Sequence, residues 1–529
     1  MLVHEPFETT ARHQAHKIAL VAGAARHTYG ALATRADALA ATLARHGVVR
    51  GDRVLLVTRN STEMVIAIYA TLKVGAIFSP VGPNLKAAKL GYILNDCRPT
   101  CVIVDGGTAS CELAKVGSLA GVRLLVVVGA IGARAPQAGA TLAFSEAVAD
   151  AAADFRRPAS IDQDLAAIIY TSGSTGDPKG VMLSHLNMLS AANAVTSYLG
   201  LASSDSIFCA LPLSFDYGLY QILMAFQLGA RVVLEPSFAF PVQALEVMER
   251  EGVTVFPGVP TMFALLMALE NLGDFRLERL RIMTNTAAAL PLAHIEAIRQ
   301  QFPQARLFSM YGLTECKRVS YLPPEALAHR PGSVGRGMPN QEVYLIDAHG
   351  RRLPPGSTGE LVVRGSNVMR GYWGKARESA ECLRPGPYPG ESVLHTGDIF
   401  RMDAEGYLYF VGRKDDMIKS RGEKVSPREI ENVLHDIDGV LEAAVIGVPD
   451  PVLGEAIQAY LILKPGARQR PGDILSICRS RLEPFMVPQA VAIVDALPKS
   501  ENGKVDKKVL GQSAMDGASV AAAGHLGEE

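Results

Sequence analysis

The chain lacks an excess of either charge. Its 529 residues hold 52 Lys and Arg against 53 Asp and Glu, a formal balance of −1. That leaves no electrostatic case for nucleic acid or an anionic membrane as a main partner. It also lacks an apolar run fit to cross a bilayer. A spanning helix needs about 20 residues, and "LLVVVGAIGA" at 124–133 is too short. The seven cysteines, at 97, 101, 111, 209, 316, 382 and 478, are scattered and odd in number. Cys97 and Cys101 are four apart, but no second Cys or His pair completes a zinc pattern. A reducing, cytoplasmic compartment is the simple expectation. "MLVHEPFETT" shows neither a basic region nor an apolar core, so no signal peptide is read there. No internal repeat is visible.

What is present is an ordinary globular balance, 48% apolar and 20% charged, in a chain too long for one core. From about 15 to 240, strand-like runs alternate with helical stretches. "DRVLLVT" precedes "STEMVIAIYATLKVG", and "ARVVLE" precedes "PVQALEVMEREG". Such alternation predicts α/β architecture with parallel sheets. Ser184 is a plausible N-cap for a helix running to about Gly200. From about 330 the texture turns to strands joined by Gly/Pro turns, and "IFRMDAEGYLYFVGR" reads as a hairpin turning at Asp403–Gly406. Beyond the charged "KDDMIKSRGEK", "SPREIENVLHDIDGV" carries a capping-box pattern, with Ser426 as N-cap, Pro427 first and Glu429 third. The expected division is 1–413 as a core domain, 414–510 as a small α+β domain and 511–529 as an Ala/Gly-rich disordered tail.

The densest signal is "YTSGSTGDPKG" at 170–180, directly after the apolar "LAAIIY". Gly/Ser/Thr clusters are often plain linkers, yet linkers seldom follow a buried strand at once. The alternative is an anion cradle. Gly173, Gly176 and Gly180 would let the backbone approach a ligand with positive φ, and successive N–H groups would line a nest for phosphate oxygens. Ser172, Ser174 and Thr175 add hydroxyls, and Lys179 adds a point charge. The loop is not a Walker A motif, since Lys179 follows Pro178 and precedes Gly180, and no Rossmann G-x-G-x-x-G opens a helix here.

Further blocks stand in order behind it: "YGLTE" at 311–315, "HTGD" at 395–398, "VGRKDDMIKSRGEKVSP" at 411–427 and "PKSENGKVDKK" at 498–508. Together with the loop, and over about residues 10–510, they resemble the adenylate-forming superfamily of acyl-CoA synthetases, peptide-synthetase adenylation domains and luciferases. The resemblance implies a large N-terminal domain of parallel-sheet α/β subdomains with a small barrel-like β subdomain, then a small mobile α+β domain. It implies condensation of a carboxylic acid with ATP, with Mg²⁺, to acyl-AMP and pyrophosphate. The acyl group then passes to a pantetheine thiol of CoA or an acyl carrier protein.

By the same resemblance Thr171, Ser172, Gly173, Ser174, Thr175, Gly176 and Lys179 hold the leaving pyrophosphate oxygens. Thr314 touches the phosphate and Glu315 holds Mg²⁺, a hard cation suited to a carboxylate. Tyr311 stacks on adenine, Asp398 accepts from both ribose hydroxyls, and Arg413 contacts the same ribose. Lys504, on the turn "ENGKVD", is implied as the catalytic lysine bridging the substrate carboxylate and the α-phosphate. Asp415 matches the hinge about which the small domain rotates between half-reactions. Gly422 in "SRGEK" would then line the thiol tunnel.

Two departures stand out. "LPLSFDYGL" at 211–219 places Phe215 where many acyl-CoA synthetases carry a gating histidine, a variant resembling peptide-synthetase domains and bacterial ligases of the exosortase-associated type. "TNTAAAL" has Thr286 where a glycine is common. The implied acyl-pocket walls are Phe215, Asp216, Tyr220, Met283, Asn285, Met310 and Arg318. Burying Asp216 or Arg318 unpaired is costly. Either they pair with each other or with Asn285, or a substrate group completes the pairing. In the second case Asp216, aligned with the residue that holds the ammonium in amino-acid-activating relatives, points to a small amino or hydroxy acid. Amino-acid loading of a peptidyl carrier, transfer to an amine or hydroxyl, and a ligand-binding relative without turnover remain the alternatives.

Overall fold

The computed structural model describes residues 1–117, 119–130, 138–149, 155–171, 177–286, 290, 292–414, 416–420, 423–450, 454–499 and 505–515. The chain forms two compact units, one of Met1–Val343 with Val362–His395 and one of Tyr344–Leu361 with Thr396–Glu529.

The first unit is built on parallel sheets, as the strand–helix alternation predicts. Strands such as Arg53–Val57, Cys101–Asp105 and Leu124–Val128 are continuous apolar runs because both faces are covered by helices. One sheet takes the order Ala140–Ala143, Leu124–Val128, Cys101–Asp105, Arg53–Val57, Ile77–Val81, Leu165–Thr171, Lys179–Ser184. Every pair in it is parallel except the last, where Lys179–Ser184 turns back along Leu165–Thr171. A second sheet has a parallel centre of Arg306–Tyr311, Ile282–Asn285, Val255–Gly258, Ser206–Cys209, Arg231–Leu234 and Ile18–Ala22, in that order. In open sheets of this kind ligands gather beyond the carboxyl ends of the strands, which here are Gly258, Asn285 and Tyr311.

Four aromatic side chains knit the helices of this unit together. Phe7, Tyr29, Tyr69 and Phe226 come from four different helices, and their ring centroids lie 4.4–5.9 Å apart. Tyr29 also donates to the Ala230 carbonyl at 2.6 Å. The cluster anchors the helix Asp216–Leu228, whose first residue is a candidate pocket wall. The helix His185–Leu199 begins and ends where its sequence places it. The Ser184 hydroxyl accepts from Asn187 N–H at 3.2 Å, and Gly200 closes the helix at φ 63°.

In the second unit the strand Ser392–Met402, from Thr396 onward, runs antiparallel to Leu408–Arg413. No pairing among the described residues closes these strands into a barrel. The predicted hairpin is present: Gly406 turns at φ 83°, and Asp403 Oδ1 accepts from the N–H groups of Glu405 and Tyr407. The C-terminal part packs the helices Pro427–His435 and Pro471–Arg481 on a sheet around Ile430, Leu434, Val445, Ile457, Leu461 and Ile474. Pro427 starts its helix, but the capping box is not made. The Ser426 hydroxyl donates instead to the Val411 carbonyl, a longer-range partner that outcompetes the local N–H groups.

Candidate active site

The glycine-rich loop is carried by the hairpin of Leu165–Thr171 and Lys179–Ser184, in which Thr171 pairs with Lys179. Ser172, Gly173, Ser174, Thr175 and Gly176 lie outside the described residues. Gly180 has a different purpose from the one its sequence suggests. It sits in the strand without positive φ, and a Cβ there would stand 2.7 Å from Ile168 Cγ2 and 3.2 Å from the Tyr170 ring. Its small size admits the strand to its neighbours rather than a ligand to the backbone. Tyr170 is held in turn by a 2.5 Å hydrogen bond to Asp96 Oδ2.

A segment that the sequence reading passed over, 369–373, is laced to this hairpin. Met182 N–H donates to the Gly371 carbonyl at 2.9 Å, Arg370 N–H to Met182 at 2.9 Å and Trp373 N–H to Gly180 at 2.7 Å. Met369 N–H reaches across to the Glu315 carbonyl at 2.7 Å. This fixes Tyr372 between two candidate functional residues. Its hydroxyl donates to Glu315 Oε1 at 2.8 Å, and the Lys179 ammonium lies 5.2 Å from its ring centroid. Burial first, and the Glu315 carboxylate second, hold the phenol protonated well above its ordinary range. The sole local hint was an aromatic pair, "YW", in an otherwise polar stretch.

Glu315 belongs to the tight turn after Arg306–Tyr311. Gly312 is required there, since a Cβ would collide with the Lys317 carbonyl and come within 2.9 Å of Arg318 Cα. Lys317 itself takes φ 63°. Val319 N–H returns to the Tyr311 carbonyl at 2.9 Å and closes the turn. Thr314 and Glu315 are half-buried on it, as is Tyr311 at the strand end. Among the described residues no group of three His, Cys, Asp or Glu could cage a metal. The half-buried Glu315 carboxylate is a hard oxygen donor of the kind that suits Mg²⁺, which is commonly bound by one or two carboxylates with phosphates and waters.

Beside this turn three of the candidate acyl-pocket residues, Asp216, Tyr220 and Arg318, gather around Lys317 and Tyr217, with different partners from those expected. Asp216 pairs neither with Arg318 nor with Asn285. It is met by Lys317, whose ammonium is 3.0 Å from the Asp216 carbonyl and 3.4 Å from Oδ2. Lys317 is 2% exposed and lies over the Tyr220 ring at 4.4 Å and the Tyr217 ring at 5.4 Å. Burial depresses its pKa to about 7 against the pull of Asp216. In sequence Lys317 looks like an ordinary solvated lysine in "TECKR"; only the positive φ of the turn carries it inward.

Arg318 is equally buried, and donates to the hydroxyl of Thr286. Thr286, which stands where a glycine is common, is thus an acceptor for this arginine. Met283, Asn285 and Met310 are buried on the adjacent strands, and Tyr198 donates to Met310 Sδ at 2.9 Å. Phe215, half-exposed, is the residue immediately before the helix Asp216–Leu228.

In the second unit Asp398 and Arg413 face each other across the hairpin, with Nη1 3.0 Å from Oδ1. The carboxylate is 2% exposed and the guanidinium 44%. Gly397 makes the bend at φ 69°, and Asp398 N–H donates to Thr396 Oγ1 at 3.1 Å. Asp415, Gly422 and Lys504 lie outside the described residues.

The AMP-binding enzyme family matches residues 7–373, and the C-terminal domain of AMP-binding enzymes matches 429–504. The chain is an AMP-binding enzyme, of the adenylate-forming superfamily. It is 34% identical over 500 residues to a feruloyl-CoA synthase of an Amycolatopsis species, covering 94% of this chain and 96% of that one. Its fold is similar to that of an anthranilate CoA ligase solved with anthranoyl-AMP, with a TM-score of 0.87 and 29% identity over 98% of each chain. ATP-bound MatB from Rhodopseudomonas palustris is similar too, with a TM-score of 0.85 and 28% identity over 98% of this chain and 99% of that one. No helix among the described residues is long and apolar enough to cross a membrane.

Proposed function

We propose that this member of the family is an AMP-forming acid–thiol ligase that makes an acyl-adenylate from a small carboxylic acid and ATP, then transfers the acyl group to coenzyme A. The observation that carries this reading is the Lys179–Tyr372–Glu315 arrangement. One half-buried tyrosine fixes a cation at the base of the glycine-rich loop and a carboxylate on the neighbouring turn. That is what in-line displacement at a phosphate asks for: charge held where charge develops, with no reorganisation at the moment of reaction.

In this reading Lys179, Thr171 and the loop residues Ser172–Gly176 bind the pyrophosphate oxygens, and Thr314 contacts the α-phosphate. Glu315 is the residue that would hold Mg²⁺, which neutralises phosphate charge when bound. Tyr311 packs on adenine, and Asp398 with Arg413 takes the ribose hydroxyls. Lys504 bridges the acid and the α-phosphate and offsets their repulsion. Rotation about Asp415 then exchanges Lys504 for the Gly422 segment, along which the thiol enters. Phe215, Asp216, Tyr220, Met283, Asn285, Met310 and Arg318 surround the acyl group. The engagement of Asp216 by Lys317 speaks against an α-ammonium there, and so against amino-acid loading.

The test is carboxylate-dependent ATP–pyrophosphate exchange across an acid panel, followed by AMP release with CoA and with phosphopantetheinyl carrier proteins. Exchange that needs an acid, and AMP release that needs CoA, is the expected result. Binding of nucleotide without exchange for any acid would sink the reading.

A further inference from the structure

We propose that the acid activated here carries a second carboxylate, and that Arg318 is the specificity residue that receives it. This deepens the ligase reading of the same site and rests on it.

Arg318 is 2% exposed. Its guanidinium lies 5.2 Å from the Tyr217 ring centroid and donates through Nη1 to Thr286. Both of these partners are neutral. Among the described residues no carboxylate forms an ion pair with it, and its buried Nε meets no acceptor. The nearby acid, Asp216, already faces Lys317. The Tyr220 hydroxyl, on a residue 1% exposed, is a second donor without a partner among the described residues.

A desolvated guanidinium with only neutral partners is costly to keep. The group that relieves that cost best is a carboxylate, whose two oxygens match the planar N–H fork. An ammonium or an alkyl end would leave Arg318 as it stands, and an ammonium would add repulsion from Lys317 as well. Arg318 is three residues beyond Glu315 on the same turn, and Thr286 directly follows the strand Ile282–Asn285. The second carboxylate is thus read close to the reacting one, which selects a short dicarboxylic acid. Lys317 keeps Asp216 from repelling it.

The experiment uses the intact enzyme and exchange with matched acids: succinate and glutarate, butyrate and pentanoate, the monomethyl ester of each diacid, and 4-aminobutyrate. The expected result is a diacid preference in kcat/KM of at least about 100-fold over the monoacid and the half-ester, the size of discrimination that a buried donor left unpaired imposes. Arg318→Leu should then cut the ratio of diacid to monoacid at least tenfold, and Arg318→Lys should restore part of it. Equal or better use of the monoacid, the half-ester or the amino acid by the intact enzyme overturns the proposal, whether or not the variants fold. So does a diacid preference that survives Arg318→Leu. Failure of every acid to support exchange removes the ligase reading itself, an outcome distinct from the other two.

Discussion

Replacing Tyr372 by Phe removes one oxygen and leaves the ring and the backbone links of the segment in place. The lost contact is the 2.8 Å hydrogen bond to Glu315 Oε1. A hydrogen bond to a charged acceptor contributes about 1.5–3 kcal/mol. Glu315 is half-buried and water can replace part of that bond, so the lower end applies, about 1.5 kcal/mol or roughly tenfold in an equilibrium constant. The freed carboxylate no longer has one fixed direction. Partners behind a metal ligand typically govern affinity or activity by about 10- to 100-fold. The assay is ATP–pyrophosphate exchange against Mg²⁺ concentration, in which half-saturation should rise about tenfold. Excess Mg²⁺ should rescue most of the rate, because the reacting groups are untouched. Because burial keeps the phenol protonated, the effect should be the same at pH 7 and pH 9. Tyr372→Leu should do worse, since it also takes the ring from beneath Lys179, worth about 0.5–1 kcal/mol more. A Phe variant whose Mg²⁺ curve overlays that of the parent would refute the positioning role.

Asp398→Ala should raise the KM for ATP by roughly ten- to a hundredfold, because two charge-assisted hydrogen bonds to a ribose are lost; Arg413, 44% exposed, can turn to water, so the fold should survive. An unchanged KM places the ribose elsewhere. Lys504→Ala should nearly abolish adenylation and spare thioester formation from supplied acyl-AMP, whereas Gly422→Leu should do the reverse; equal loss of both half-reactions would contradict the two-conformation scheme. Acid should loosen the N-terminal unit through two buried histidines. Burial lowers His4 to about 3 and His185 to about 4, so both are neutral in the fold and charge on unfolding. Their contribution is complete above about pH 6.5 and declines by up to about 1.4 kcal/mol per pH unit for each as pH falls towards 4. Melting at pH 7.5 and 5.5 should show the drop, and His4→Gln should remove about half of it; an unaltered slope would locate the acid sensitivity elsewhere.

The strand–helix alternation, the Ser184 cap and the Asp403–Gly406 turn were legible in the sequence because each rests on contacts a few residues apart. Ser426 shows the limit of that logic. Its hydroxyl had a local use, and a carbonyl 15 residues away took it. Gly180 shows the converse, a glycine in a functional motif that serves packing against Ile168 and Tyr170. Tyr372 was invisible for a plainer reason. Its carboxylate partner lies 57 residues earlier, and no periodicity encodes that meeting.

The acyl pocket depends on the same kind of long-range contact. From sequence, Asp216 and Arg318 were two charges of opposite sign that either paired with each other or with Asn285, or waited for a substrate group. The fold adds a third charge. Lys317 reaches Asp216 only because Gly312 tightens the turn and Lys317 accepts a left-handed backbone. Side chains of successive residues on a strand point to opposite faces, whereas a left-handed residue breaks the alternation and sends both Lys317 and Arg318 inward. The pocket then holds two cations for one acid beside the helix that starts at Asp216. Lys317→Met should return Asp216 to the substrate. The variant should use short diacids less well through new repulsion and 4-aminobutyrate better, measured by exchange. A Lys317→Met chain that folds and keeps the parent's order of acids would mean that the ion pair takes no part in selecting the substrate.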